Sequence, residues 1–320
     1  MQGVHKSPNL LNGTILADSS HRLRGFHTRT ILVREQGRNV VYKVAATEEA
    51  RAFLELITVR ERENAESLRG HFDVLCGRLG DEGIVYEYLP HPSLAQSIGL
   101  ELGSGHCDRA DELLGLYVRK IHALERGRGC PSEFLSVIAG EHPGDDGLVV
   151  DCLSRGLLDL TPRNILVDGD RWVVIDNEWS FRFPVPIVFL LFRAIRELCL
   201  TQQPEIRRTT DMHRPAVGLL ARGLRTCYFP KHWMEYCKDP QISLSRMLRW
   251  EAGFRRYVAG SAYQSPGHVK MRPRETTSLP PSRGENYGGV FTGVRHILQR
   301  APGAYRLARF AERLLLGRRK

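Results

Sequence analysis

The chain has 320 residues, 42% apolar and 26% charged, with a formal net charge of +10. This is a globular composition, and seven scattered cysteines without a C-x-x-C pair suggest neither a disulfide framework nor a zinc site. The first twenty residues hold no apolar signal-peptide core, and the most apolar stretch, Pro184 to Leu200, is interrupted by Arg193 and Arg196; a cytoplasmic protein with a buried helix there is expected.

Strands are expected first. Thr14–Ala17, Thr28–Arg34 and Val40–Val44 are short strand-forming runs, with Gln36-Gly37 as the turn between the last two. In the third, Val41, Lys43 and Ala45 share one face, and Val40, Tyr42 and Val44 share the other. A helix follows, with Thr47 as its expected N-cap. Ala50, Phe53, Leu54, Ile57, Glu61 and Leu68 fall along one seam of it. Ile84–Leu89 reads as another strand, running into Pro90.

Beyond Pro90 the pattern turns helical, at 111–124, 187–200, 214–226 and 243–258. It is interrupted by "DLTPRNILVDGDRWVVIDNEW", residues 159–179, where the apolar runs Ile165–Val167 and Trp172–Ile175 flank Asp168-Gly169-Asp170 and read as a hairpin. The hairpin brings Asp159, Asn164 and Asp176 to one end of a two-stranded ribbon. Such oxygen-bearing groups suit Mg²⁺, which keeps substrate phosphates as further partners. Residues 271–288 read as a polar linker rich in Pro, Ser and Gly. The tail, 289–320, reads as basic amphipathic helices split by Pro302 and carries most of the positive excess.

"DLTPRNIL" resembles the catalytic loop of the protein-kinase-like fold, D-L-x-x-x-N. "VVIDNEW" resembles the metal-binding strand of aminoglycoside and choline phosphotransferases, in which I-D-x-E is common. Lys43 in "VVYKVA" matches the β3 lysine of that fold, and "IVYEYLPHPSL" resembles its hinge strand. The resemblance spans roughly residues 12 to 265. "IDNEWSFRFPVPI" further resembles kinase modules of bacterial surface-polysaccharide assembly, which act on sugars of lipopolysaccharide or O-antigen chains.

The resemblance implies an α+β, bilobal fold: a small antiparallel-sheet lobe over 1–89, a larger helical lobe over 90–270, then the linker and tail. It implies an ATP- and Mg²⁺-dependent phosphotransferase acting on a hydroxyl of a sugar or glycan. Asp159 would accept the hydroxyl proton, and Asn164 and Asp176 would hold Mg²⁺. Lys43 would hold the α- and β-phosphates, oriented by Glu61, with Glu49 as the competing partner. The backbone at Glu87 and Tyr88 would meet the adenine. Glu178 would join the metal shell or pair with an arginine.

The sequence departs from the pattern in four places. The phosphate-covering loop, "SSHRLRGF", has only Gly25, so Ser19, Ser20 or an arginine would replace its backbone donors. Leu157 stands where a histidine often precedes the catalytic aspartate, and Thr161 where protein kinases carry a lysine. No A-P-E segment follows Asp176. These features favour a small-molecule or glycan acceptor over a protein. Two alternatives stay open: a pseudokinase that binds nucleotide or a partner without transfer, and a glycosyltransferase using Asp168 and Asp170. The tail is either a solvated basic stripe or a contact to an anionic membrane surface. No motif for specific nucleic-acid recognition is present.

Overall fold

The structure is a computed structural model that describes residues 10–142, 147–202, 204–206, 216–220, 227–260 and 270–273. Six strands lie in its first part: β1 (Thr14–Asp18), β2 (Thr28–Glu35), β3 (Arg38–Ala45), β4 (Asp73–Val74), β5 (Arg78–Gly80) and β6 (Gly83–Glu87). Five of them form an antiparallel sheet in the order β1-β2-β3-β6-β5. The pairing of β2 with β3 ends at Glu35↔Arg38, so Gln36 and Gly37 form a two-residue turn with φ of 46° and 82°. Hairpin turns of this handedness need positive φ at both positions, which Gly37 supplies without strain.

The alternation of β3 sets the direction of Lys43. Tyr42 packs with Ile31 and Val33, and Val40 and Val44 join that small cluster. Val41 and Ala45 pack against the main core, and Lys43 between them is 3% exposed. β6 stops at Glu87. Tyr88 and Leu89 leave the ladder ahead of Pro90, which has no N–H to donate.

Helix α1 (Arg51–Ser67) follows a short 3₁₀ turn, Glu48–Ala50. The expected seam is buried along its length, Glu61 included. Thr47 is extended, as an N-cap should be, but its hydroxyl does not cap. It donates to the Arg24 carbonyl at 2.6 Å and ties the helix start to the loop after β1.

Two helices follow, α2 (Leu94–Gly103) and α3 (Cys107–His122). Ser93 and Gln96 close a capping box at the start of α2. The hairpin Ile165–Asp168/Arg171–Val174 forms with Gly169-Asp170 at its tip, and its second strand also runs parallel to β4. Helix α4 (Ile187–Thr201) is buried on nearly every side, with Phe189, Leu190, Leu191, Phe192, Ile195 and Leu198 in the core. No helix among the described residues is long and apolar enough to cross a membrane.

Within the expected helix over 214–226, the described residues, 216–220, form a strand instead. Ala216–Leu220 is antiparallel to Cys227–Pro230 and to Lys270–Pro273. Gly218 and Gly223 each weaken a helix by about 1 kcal/mol, and a strand partner some fifty residues away leaves no mark on local periodicity. The same pairing puts Met271–Pro273, the start of the expected linker, in a sheet. The rest of the linker and the basic tail lie outside the described residues.

Helix Leu244–Ala259 is capped by Ser243 and crosses the turn Phe134–Ala139 closely. A Cβ on Gly253 would sit 2.4 Å from the Ile138 carbonyl oxygen and 2.9 Å from that of Ala139. Gly253→Ala would gain about 1 kcal/mol of helix propensity, but overpacking against backbone costs about 1–3 kcal/mol or more. We expect a melting temperature several degrees lower; an unchanged value would mean that the helix can shift away from the turn at no cost.

Candidate active site

Strand β3 and the hairpin converge on one cluster of charge. The Lys43 ammonium pairs with Asp176 Oδ1 and, at 2.6 Å, with Glu178 Oε1. The two side chains of the second pair are 4% and 3% exposed. Burial alone would lower the Lys43 pKa, but Asp176 and Glu178 overcome it and hold the ammonium well above its ordinary value. Partial burial pushes Asp176 up, its side chain being 41% exposed, and Lys43, helped by Arg22 and Arg163, brings it below the usual carboxylate range. Asp176 has a left-handed backbone with φ of 51°, a region that Asp and Asn enter more readily than most residues with a side chain.

The segment 159–164 is pinned from several sides. Asp159 Oδ2 accepts the Trp179 N–H at 2.9 Å. The Asn164 amide donates through Nδ2 to the Asp159 carbonyl at 3.1 Å, and Ile175 N–H donates to the Asn164 carbonyl. From α3, the Tyr117 hydroxyl donates to the Leu160 carbonyl at 2.7 Å. Burial, reinforced by the charges of Asp176 and Glu178, pushes Asp159 from an ordinary 3.8 up to about 7. A carboxyl in that range can take a proton from a substrate and release it near neutrality.

The structure brings Lys43, Asp159, Asn164, Asp176 and Glu178 together. Glu61 is placed differently from the expectation. Its carboxylate accepts the Tyr86 hydroxyl at 2.7 Å and the Gly77 N–H at 2.9 Å, and the acids paired with Lys43 are Asp176 and Glu178. Glu49 is half-exposed and pairs with Arg24. Ser19 is buried with its hydroxyl bound to the backbone at Phe26 and Thr28, and Ser20 is exposed with its N–H on Asp18 Oδ1. Glu87 closes β6, and Tyr88 begins the connection to α2.

Arg22 was legible only as one of several basic residues in "SSHRLRGF". It pairs with Glu178 Oε2 and lies 5.5 Å from the centre of the Trp179 ring. Arg60, on α1, donates to the Glu178 carbonyl at 2.9 Å. Each oxygen of the Glu178 carboxylate thus takes one cation, and its backbone takes a third.

Asp176, whose side chain is 41% exposed, and Asn164, whose Nδ2 is engaged and whose Oδ1 remains as acceptor, are hard oxygen donors of the kind Mg²⁺ takes. Among the described residues no three His, Cys, Asp or Glu side chains are grouped so as to hold a metal by themselves. Asp168 and Asp170 lie at the opposite end of the hairpin, exposed, with Asp168 3.6 Å from His91 Nε2.

No protein-family model matches the chain, and no curated protein matches it. Solved structures similar to it include the choline kinase LicA from Streptococcus pneumoniae, at 16% identity over 70% of this chain and 76% of that one, with a TM-score of 0.36. A macrolide 2'-phosphotransferase, MphH from Brachybacterium faecium, is 14% identical over 74% and 89% of the two chains, with a TM-score of 0.32. A thermostable mutant of the aminoglycoside phosphotransferase APH(4)-Ia is 13% identical over 77% of this chain and 84% of that chain, with a TM-score of 0.40.

Proposed function

We propose that this protein transfers the terminal phosphoryl group of ATP to a hydroxyl of a sugar or glycan. The observation that carries the reading is the convergence of Lys43, Asp176 and Glu178, with Asp159 beside them, from segments more than a hundred residues apart. In this reading residues 1–89 form the lobe that covers the nucleotide and 90–270 the lobe that carries the acceptor site. Glu87 and Tyr88 meet the base between them.

Asp159 takes the acceptor proton at Oδ1, since Oδ2 is held by Trp179 N–H. The acceptor oxygen gains a bond to phosphorus as the bond to the ADP oxygen breaks. Lys43 holds phosphate oxygens, and Asp176 and Asn164 hold the metal. When bound, Mg²⁺ supplies neutralisation of the phosphate oxygens and a fixed orientation for them. The sugar acceptor is inferred from the "IDNEWSFRFPVPI" resemblance, which suggests cell-envelope polysaccharide. The basic tail is proposed as the contact to an anionic membrane surface. ATP turnover by the purified chain across sugars, glycans and aminoglycosides tests the reading; no turnover with any hydroxyl acceptor would reject it.

One observation favours a second reading, a pseudokinase. Most backbone donors of the loop after β1, those of Ser19, Ser20, Arg22, Leu23, Phe26 and His27, are engaged within the protein. Nucleotide binding without turnover would support it. The glycosyltransferase alternative is separated by two variants. Asp176→Ala should weaken Mg²⁺·ATP binding by about tenfold or more, because a charged ligand is lost. Asp170→Ala should leave it unchanged. The reverse pattern, read by titration calorimetry, would move the chemistry to the hairpin tip.

A further inference from the structure

We propose that Arg22 is the phosphate-gripping residue of the loop between β1 and β2, its guanidinium replacing the backbone N–H groups with which a glycine-rich loop would hold a nucleotide's phosphates. The proposal rests on the phosphotransferase reading and adds to it a ligand for the polyphosphate.

The backbone of this loop has little left to offer. Ser19 N–H donates to the Thr28 carbonyl, and Ser20 N–H to Asp18 Oδ1. Arg22 N–H donates to the Ser19 carbonyl, and Leu23 N–H to the Val258 carbonyl at 3.0 Å. Phe26 and His27 N–H donate to the carbonyls of Leu23 and Arg24. The Ser19 hydroxyl is turned back on the loop itself. That leaves the N–H groups of His21, Arg24 and Gly25, fewer donors than a glycine-rich nest turns toward an anion.

The loop is also held firmly. Phe26 packs at 5.0 Å between ring centroids on both Phe53 and Trp179, and at 6.2 Å on Tyr257. Together with the Leu23–Val258 hydrogen bond, this fixes the loop to α1, to the segment after the hairpin and to the helix Leu244–Ala259. Arg22 projects from that platform toward the acids. Its side chain is 17% exposed, against 4% for Lys43, so solvent and ligand can reach it.

The partner it holds makes the exchange chemically simple. Glu178 Oε1 takes Lys43 and Oε2 takes Arg22, so one carboxylate sets two cations side by side. A guanidinium binds a phosphate with the same planar fork that it uses on a carboxylate. Lys43 and Arg22 then form a two-cation grip, with Glu178 as the shared anchor and as the resting partner of Arg22.

The test compares adenosine, ADP and ATP binding to the full chain, with and without Mg²⁺, for wild type, Arg22→Ala and Arg22→Lys. Adenosine reports the base site alone, whereas ATP adds the phosphates. Arg22→Ala should leave adenosine affinity within about twofold and weaken ATP by about 10- to 100-fold, the range for a charge-assisted hydrogen bond. Its KM for ATP should rise more than its kcat falls. Arg22→Lys should recover part of the loss, keeping the charge without the fork. Unchanged ATP affinity in Arg22→Ala overturns the proposal. So does an equal loss for adenosine and ATP with a lower melting temperature, which would make Arg22 a structural brace for Glu178. Wild type that binds neither adenosine nor ATP would instead reject the phosphotransferase reading.

Discussion

Asp159→Asn should lower phosphoryl transfer by about 10²- to 10⁴-fold while leaving Mg²⁺·ATP affinity nearly intact. The amide keeps an oxygen for Trp179 N–H but cannot take the acceptor proton, and Lys43, Asn164 and Asp176 are untouched. The same variant carries a pH signature in metal- and nucleotide-free protein. Asp159 is raised from 3.8 to about 7, so between those values the folded chain holds a proton that the unfolded chain has released. The unfolded state binds fewer protons there, and stability must fall as pH rises through that window. Asp159→Asn escapes that loss. Its melting temperature should exceed that of wild type by several degrees at pH 8, with a smaller gap at pH 5. A variant with near-normal turnover would remove Asp159 as proton acceptor. One with no pH-dependent gain would mean that its acidity is ordinary.

Such a gain would have a plain physical origin. Burial and the nearby charges of Asp176 and Glu178 oppose ionisation of Asp159, and the backbone at Asp176 is left-handed. A fold accepts such strain where function demands it, at some expense in stability.

What could be read from the chain followed the reach of local pattern. The inward face of β3 follows from two-residue alternation, so Lys43 was legible as a residue beside the core, and the hairpin tip followed from Asp-Gly. The seam of α1 correctly turned Glu61 inward. The seam tells which way a side chain faces, not which polar group it will meet. Tyr86 and Gly77 reach Glu61, while Lys43 reaches Glu178, a pairing set by how the sheet docks on the hairpin. The S-x-x-Q box at Ser93–Gln96 was a legible start for α2 that went unread. The strand Ala216–Leu220 was hidden for the opposite reason, because its partner Lys270–Pro273 is remote in sequence. Arg22 lies between these cases: a basic run where glycines are expected marked the loop, and only the fold selected the residue.

The largest stability effect should come from a residue with no visible motif. Glu251, on the helix Leu244–Ala259, is 6% exposed and its carboxylate is shared by three arginines. Arg193 pairs with Oε2, Arg255 with Oε1 at 2.9 Å and Arg196 with Oε1 at 3.4 Å. Arg193 also lies 4.1 Å over the Phe254 ring and donates through Nε to the Leu158 carbonyl, one residue before Asp159. Removing the carboxylate breaks its pair with Arg193, whose side chain is 12% exposed, and breaking a buried pair costs about 3–5 kcal/mol. Glu251→Gln should therefore lose about that much in urea unfolding at pH 7. Burial would raise the Glu251 pKa, but Arg193, Arg196 and Arg255 outweigh it and hold it below its ordinary 4.5. Its contribution is thus complete above 4.5 and fades as pH falls through the lowered value, so the gap between wild type and variant should narrow only below pH 4.5. Because Arg193 braces the backbone beside Asp159, phosphoryl transfer should fall with stability. A Glu251→Gln variant as stable as wild type at pH 7 would mean that water relieves the arginines and that the carboxylate is not their anchor.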